Sequence, residues 1–286
     1  MKDKFIYSIS LSKLVFLLFV MASISACNSG HHQSGHFDYG TMSDSARYYY
    51  HDGYHEILDN GRWTESERSY RKALEFDPDF ALGKSLVGRI TRDLNEREKL
   101  LQSLLEIRKH TTHDENLLLD VYLLNIEAYN DRDKGIKVSA EFNSKRSQLA
   151  ESNFREFVHK YPEDDYAKAE YIEWLHFIHG PRAALDTLNK LATDRQMKLG
   201  FYIGFSASLE LELGNVDRAI SLSKRLKELM IDSSYTRYLS LKTEIYLAQD
   251  SLIKAKETID RVVNIDPNHI IALGEQAKIN EKLKDR

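Results

Sequence analysis

Two histidines four residues apart, His51 and His55, are the clearest candidates for metal chemistry in this sequence. On a helix, positions i and i+4 share one face, and two imidazoles placed there can hold zinc. A zinc hydrolase of that design needs a glutamate beside the first histidine and a third ligand elsewhere. Asp52 stands in the glutamate's place, one methylene short, and Gly53 weakens the helix that would carry the pair. His110/His113 and His176/His179 are i, i+3 pairs, which 11 histidines in 286 residues produce by chance. The chain has neither a P-loop nor a Gly-x-Ser-x-Gly elbow. These residues argue against an enzyme and imply no cofactor and no metal.

The only thiol belongs to Cys27. Alone it can form neither an intramolecular disulfide nor a zinc site. Lys2, Lys4 and Lys13 precede or border an apolar run of 11 residues at 14–24. A bilayer span takes about 20 such residues, so the run has the length of a signal-peptide core. Small residues then lead into the cysteine. The tetrapeptide Ile24-Ser25-Ala26-Cys27 resembles the bacterial lipobox. That resemblance implies cleavage before Cys27, removal of residues 1–26 as a signal peptide, and acylation of the Cys27 thiol and the new amino group. Two or more acyl chains anchor stably where one is marginal. Asn28, rather than an aspartate, follows the cysteine and favours the outer membrane of the cell envelope.

Residues 27–44 are polar, rich in Gly, Ser and His, and read as a flexible tether. The chain carries 40 basic and 44 acidic residues, a net charge of −4. Loss of Lys2, Asp3, Lys4 and Lys13 with the leader brings it near −6. Nucleic-acid binding needs a basic footprint, and none is present.

From about residue 45 the pattern changes to helical segments broken by short turns. With only 4 prolines and 13 glycines, a turn-rich β fold is disfavoured. Gly61 to Asn95 spans 34 residues, and so does Gly180 to Gly214. Asp77-Pro78, Tyr161-Pro162 and Asp266-Pro267 follow apolar-periodic stretches and should end helices. Small residues (Ser66, Ala73, Ala184, Ala219, Ala255) recur where two helices of a unit would cross, with Tyr70, Leu188 and Ile259 beside them. The stretch 62–78 and parts of 213–220 and 255–267 resemble tetratricopeptide repeats. The resemblance implies an all-α, right-handed superhelical solenoid over residues 45–286. Its units map to 47–80, 81–113, 114–164, 165–199, 200–235 and 236–269, with a capping helix from residue 270. The third unit is overlong. Its helices are expected at 115–130 and 144–160, joined by a polar stretch that either inserts or extends a helix.

In such repeats the first helix of each unit lines a concave groove that takes a peptide or a partner helix. By register that groove should contain His51, His55, Ser85, Arg89, Arg92, Tyr166, Glu173, His176, Arg237 and Glu244. The mixed charge of this set implies no strong preference for acidic or basic ligands. Ser85, Arg89, Ala169 and Glu173 stand where chaperone-binding relatives place a carboxylate clamp, so that specificity is not expected. The leading functional expectation is a membrane-anchored protein-interaction scaffold with a protein or peptide partner. The other is a small-ligand or glycan-binding lipoprotein serving an outer-membrane uptake system.

Overall fold

A computed structural model describes residues 37–285. The proposed signal peptide and Cys27 lie outside the described residues. Twelve α-helices follow one another, with no strand among the described residues. They are α1 (Asp44–Tyr54), α2 (Trp63–Phe76), α3 (Ala81–Ile90), α4 (Leu94–Ile107), α5 (His113–Asp133) and α6 (Ala140–Lys160). Then come α7 (Asp165–Leu191), α8 (Gly200–Glu212), α9 (Val216–Leu229), α10 (Arg237–Ala248), α11 (Leu252–Ile265) and α12 (Ile270–Lys284). α1 runs on into a π-helical turn, His55–Asn60.

The helices pack as successive hairpins, and the all-α repeat architecture expected from the periodicity is present. Ser66, Ala73, Ala184, Ala219 and Ala255 are each completely buried, which lets the paired helices approach closely. Apolar residues form a string of separate clusters along the chain, as stacked units require. Asp77 and Asp266, before Pro78 and Pro267, are extended, Tyr161 before Pro162 is non-helical (φ −124°, ψ 67°), and each ends its helix (α2, α11 and α6). The overlong third unit puts its excess into its helices: α5 and α6 have 21 residues each. α7 is two helices in sequence. Gly180, at φ 82° and ψ 179°, breaks it in a region open to glycine alone, and Pro181 starts the second half. The halves fold back on each other. Lys168, buried in the first, donates to the Leu191 carbonyl (2.8 Å) at the end of the second and to Gln196 Oε1 (2.6 Å).

Part of the expected tether is corrected by the structure. Residues 37–43 are docked on the fold because two aromatic side chains find a core there. Phe37 packs between Tyr39, Phe157 and Tyr161, and the Tyr39 hydroxyl donates to Asp164. Thr41 donates to Asp77.

The array also closes on itself. The α1–α2 turn meets helices from the last units, some 140 to 200 residues along the chain. Neither Leu199, ahead of α8, nor Arg62, ahead of α2, supplies a side-chain cap. Asp59 accepts from the Phe201 N–H (2.8 Å) in the first turn of α8. Asp266 accepts from the Thr64 N–H (3.1 Å) and hydroxyl (2.6 Å) in the first turn of α2. Carboxylates satisfy orphan N–H groups and face the positive end of each helix dipole. Thr236 donates its N–H to the Asn60 carbonyl (2.9 Å) and its hydroxyl to the Gly61 carbonyl (2.6 Å). Gly61 has φ 78°, and a Cβ there would stand 2.6 Å from the Arg237 nitrogen. Only glycine fits both demands.

Asp266→Ala should therefore cost about 1–2 kcal/mol in urea unfolding, the range of a lost N-cap. Gly61→Ala should destabilise as well, through a strained backbone and a backbone clash. Unchanged midpoints in both variants would mean that the closure contributes no stability.

Candidate functional site: an inner groove

Closure leaves a cavity of about 690 Å³ inside the array. Most of its wall comes from α1, α3, α5, α7, α8, α10 and α12, which alternate with the outer helices. Gly61 in the α1–α2 turn and Trp63 at the start of α2 reach it from the first hairpin, and His269 from the last. Its size is that of a pocket for a small ligand or a short peptide stretch.

A buried polar knot forms one wall. Glu170 of α7 accepts from the Tyr54 hydroxyl of α1 (2.7 Å) and from Arg89 of α3 (2.7 Å). Tyr54 also meets the Tyr122 hydroxyl of α5 (2.8 Å), and the Arg89 guanidinium lies 4.5 Å from the centre of the Tyr122 ring. Four helices are joined at this point. Burial opposes the charge of Arg89 most strongly, but Glu170, Tyr54 and Tyr122 together outweigh it and hold the guanidinium protonated. Burial first, and then the Glu170 charge, raises the Tyr54 hydroxyl well above its usual range, so it remains a donor.

Glu173, one turn along α7, has no such partner. Its carboxylate stays accessible to solvent in the groove but is flanked by protein, and it makes no hydrogen bond or ion pair with a described residue. Desolvation by the groove walls, then repulsion from Glu170, pushes it up to about 7, against the pull of Arg237 and Arg89. Glu244 of α10 is raised by the same desolvation, offset in part by a hydrogen bond from Ser208. Arg237 lies across the Phe201 ring, 5.5 Å from its centre, and forms no ion pair with either carboxylate. Glu212 and Glu275 also line the cavity, paired with His176 (2.9 Å) and Lys278 (3.0 Å). His269 is pushed down to about 4 by burial and is neutral at pH 7.

Of the residues assigned to the groove by register, Arg89, Glu173, Arg237 and Glu244 line it. His176 reaches its rim through Glu212. The others serve packing or stand apart. Ser85 is fully buried and donates to the Leu82 carbonyl (2.7 Å), which removes it from any groove. His51 packs edge-on against Tyr39 and Tyr50. His55 pairs with Asp59 (3.1 Å), and this bond raises its imidazole above the usual range. Tyr166 stacks on Tyr54 with ring centres 5.0 Å apart, and Arg92 is exposed in the α3–α4 turn. No group of three or more His, Cys, Asp or Glu side chains is arranged to hold a metal among the described residues.

Register alone did not pick out Glu170, Glu212 and Glu275. Glu170 is i−3 to Glu173, a neighbour on the same helical face, so the helical repeat could have found it. Trp63 and His269 could not have been found that way, because the closure brings them in. With these residues counted, the cavity wall carries five glutamates against two arginines, and the expected balance of charge gives way to an acidic groove.

No protein-family model matches the chain, and no curated protein matches it. Among solved structures, the chain is similar to a tetratricopeptide repeat protein from Parabacteroides merdae ATCC 43184. The identity is 14% and the TM-score 0.36, with 83% of this chain and 99% of that one covered.

Two predictions follow from the buried knot and its unpaired neighbour. Glu170→Ala leaves Arg89 without its partner and should lose about 3–5 kcal/mol, whereas Arg89→Met with Glu170→Leu should lose far less. Denaturant unfolding of the three proteins distinguishes the cases; equal losses would deny the knot. Glu173 has a folded value above its unfolded one, so the folded state binds the extra proton between about pH 4.5 and 7. Stability attributable to it falls as pH rises through that window. Glu173→Gln should flatten the fall and raise the melting temperature at pH 8; an unchanged pH profile would contradict the shift.

Proposed function

We propose that this tetratricopeptide-like chain is a lipid-anchored scaffold of the bacterial cell envelope, and that its inner groove holds a peptide segment of a partner protein. The groove itself is the observation that carries the reading: a bounded cavity on the inner helices, with apolar residues (Leu86, Leu211, Leu247) beside fixed charges. Repeat arrays of helix hairpins present such surfaces to extended or helical segments. Support for the anchor comes from residues 14–27, where a short apolar run leads to Ile24-Ser25-Ala26-Cys27. No helix among the described residues is long and apolar enough to cross a membrane. Attachment through Cys27 would supply the missing membrane contact, and Asn28 favours the outer membrane.

The glycan-binding expectation finds no comparable support. Sugar platforms are open aromatic faces, and most of the groove's aromatics are engaged by other rings or buried, while Tyr129 is met by Arg132. Tyr54 stacks on Tyr166, Trp63 on His269, and Tyr70 is buried.

Each half of this proposal has its own test. Cells fed radiolabelled palmitate should label the wild-type chain and leave Cys27→Ser unlabelled; label retained by the variant would sink the anchor. A photo-crosslinking residue at Leu247, inside the groove, should trap one partner that is not trapped from Lys99, which is exposed on α4. Equal trapping from both positions would place the interaction elsewhere.

A further inference from the structure

We propose that His269 is an acid-sensitive latch of the closed array: neutral, it holds the last hairpin against the first, and protonated, it lets them part and opens the groove. The device belongs to the closure and is independent of what the groove binds.

His269 stands where the α11–α12 turn meets the first hairpin. It is 6% exposed, and its ring stacks on Trp63 with centres 5.5 Å apart. Its Nδ1 accepts from the Ala272 N–H (3.3 Å) and caps α12. An accepting Nδ1 carries no proton, so the ring is the neutral tautomer protonated at Nε2. The same turn grips the first hairpin by polar bonds. Asp266 accepts from the Thr64 N–H and hydroxyl, and Asn268 Nδ2 donates to Thr64 Oγ1 (3.2 Å).

A second proton on this ring would occupy the Nδ1 lone pair and leave the Ala272 N–H without its acceptor. It would also place a charge in a buried site. An indole face tolerates a cation, so the Trp63 stack alone would not bar the proton. Two charged groups face the ring, Asp266 from its own turn and Arg237 from the start of α10. Glu244 of α10 and Glu275 of α12 line the same cavity, where the first meets Ser208 and the second Lys278. Burial outweighs the pull of Asp266, Arg237 adds its repulsion, and the imidazole is pushed down to about 4. Parting the hairpins takes Trp63 off the ring and returns it to water, where an imidazole titrates near about 6.5. The closed form has the lower value, so closure is strongest above about pH 6.5 and weakens as pH falls toward about 4. His55, the other histidine at the closure, works the opposite way: its bond to Asp59 raises it, so acid strengthens that pair.

Hydrogen exchange of the full chain, followed residue by residue by NMR and corrected for the intrinsic rate at each pH, tests this. The Thr236 N–H, bonded to the Asn60 carbonyl (2.9 Å), reports the closed fraction at a point outside the His269 cap. Its protection should fall about tenfold per pH unit between about pH 6 and 4.5. Protection of the Ile126 N–H, in the core of α5, should hold over the same range. His269→Asn keeps a side-chain oxygen that can accept from Ala272 but takes up no proton, and it should flatten the Thr236 profile. An unchanging wild-type profile, the same fall in His269→Asn, or a parallel loss at Ile126 would each overturn the latch. Should His269→Asn be open at every pH, the wild-type ring decides. Its NMR signals should titrate below about pH 5, and titration near about 6.5 with Thr236 still protected would overturn the latch.

Discussion

The structure depends on two carboxylates that cap helices far from them in sequence. Asp59 reaches the first turn of α8, and Asp266 reaches the first turn of α2. Neither of those helices has a side-chain cap of its own. A row of helix hairpins with only neighbour contacts would be open, because each unit needs no more than the next to bury its apolar face. Here the π-helical turn after α1 and the α1–α2 connection meet the later hairpins through backbone as well as side chains. Thr236 bonding to the Asn60 and Gly61 carbonyls leaves little freedom in the match.

That closure gives the groove its character. An open concave face would leave Glu173 and Glu244 in bulk water, where carboxylates need no partner. With the first hairpin turned in against the last two, protein walls crowd both groups and hold them toward their neutral form, although each stays open to solvent. The buried Glu170–Arg89 pair, two tyrosines attached, fixes the opposite wall in a satisfied state. A fully bonded carboxylate and one without a bonded partner thus stand a single turn apart on α7.

Much of the hairpin pattern was legible in the sequence. A 34-residue interval, small residues at helix crossings and prolines after helix ends act locally, so their consequences can be read locally. The closure was not legible. Asp59 and Asp266 look like ordinary turn residues, and nothing near them in the chain shows that each caps a helix more than a hundred residues away. The same blindness misplaced residues 37–43: Phe37 and Tyr39 sit in a polar stretch, and their core lies on α6 and the segment around Asp164. Four of the residues placed by register, Arg89, Glu173, Arg237 and Glu244, line the cavity. Register put Ser85 there too, because a helical wheel does not show that the face bearing Ser85 turns into the core beside Leu82.

The central claim is that the first and last hairpins meet, and a cysteine pair tests it most directly. Asn268 Nδ2 lies 3.2 Å from Thr64 Oγ1. In a Cys27→Ser background, Thr64→Cys with Asn268→Cys should oxidise readily to an intramolecular disulfide in the monomer, seen as faster migration on a non-reducing gel. Thiols that stay free to a maleimide under the same oxidation, or that form only intermolecular bridges, would show an open array and leave the groove without its boundary.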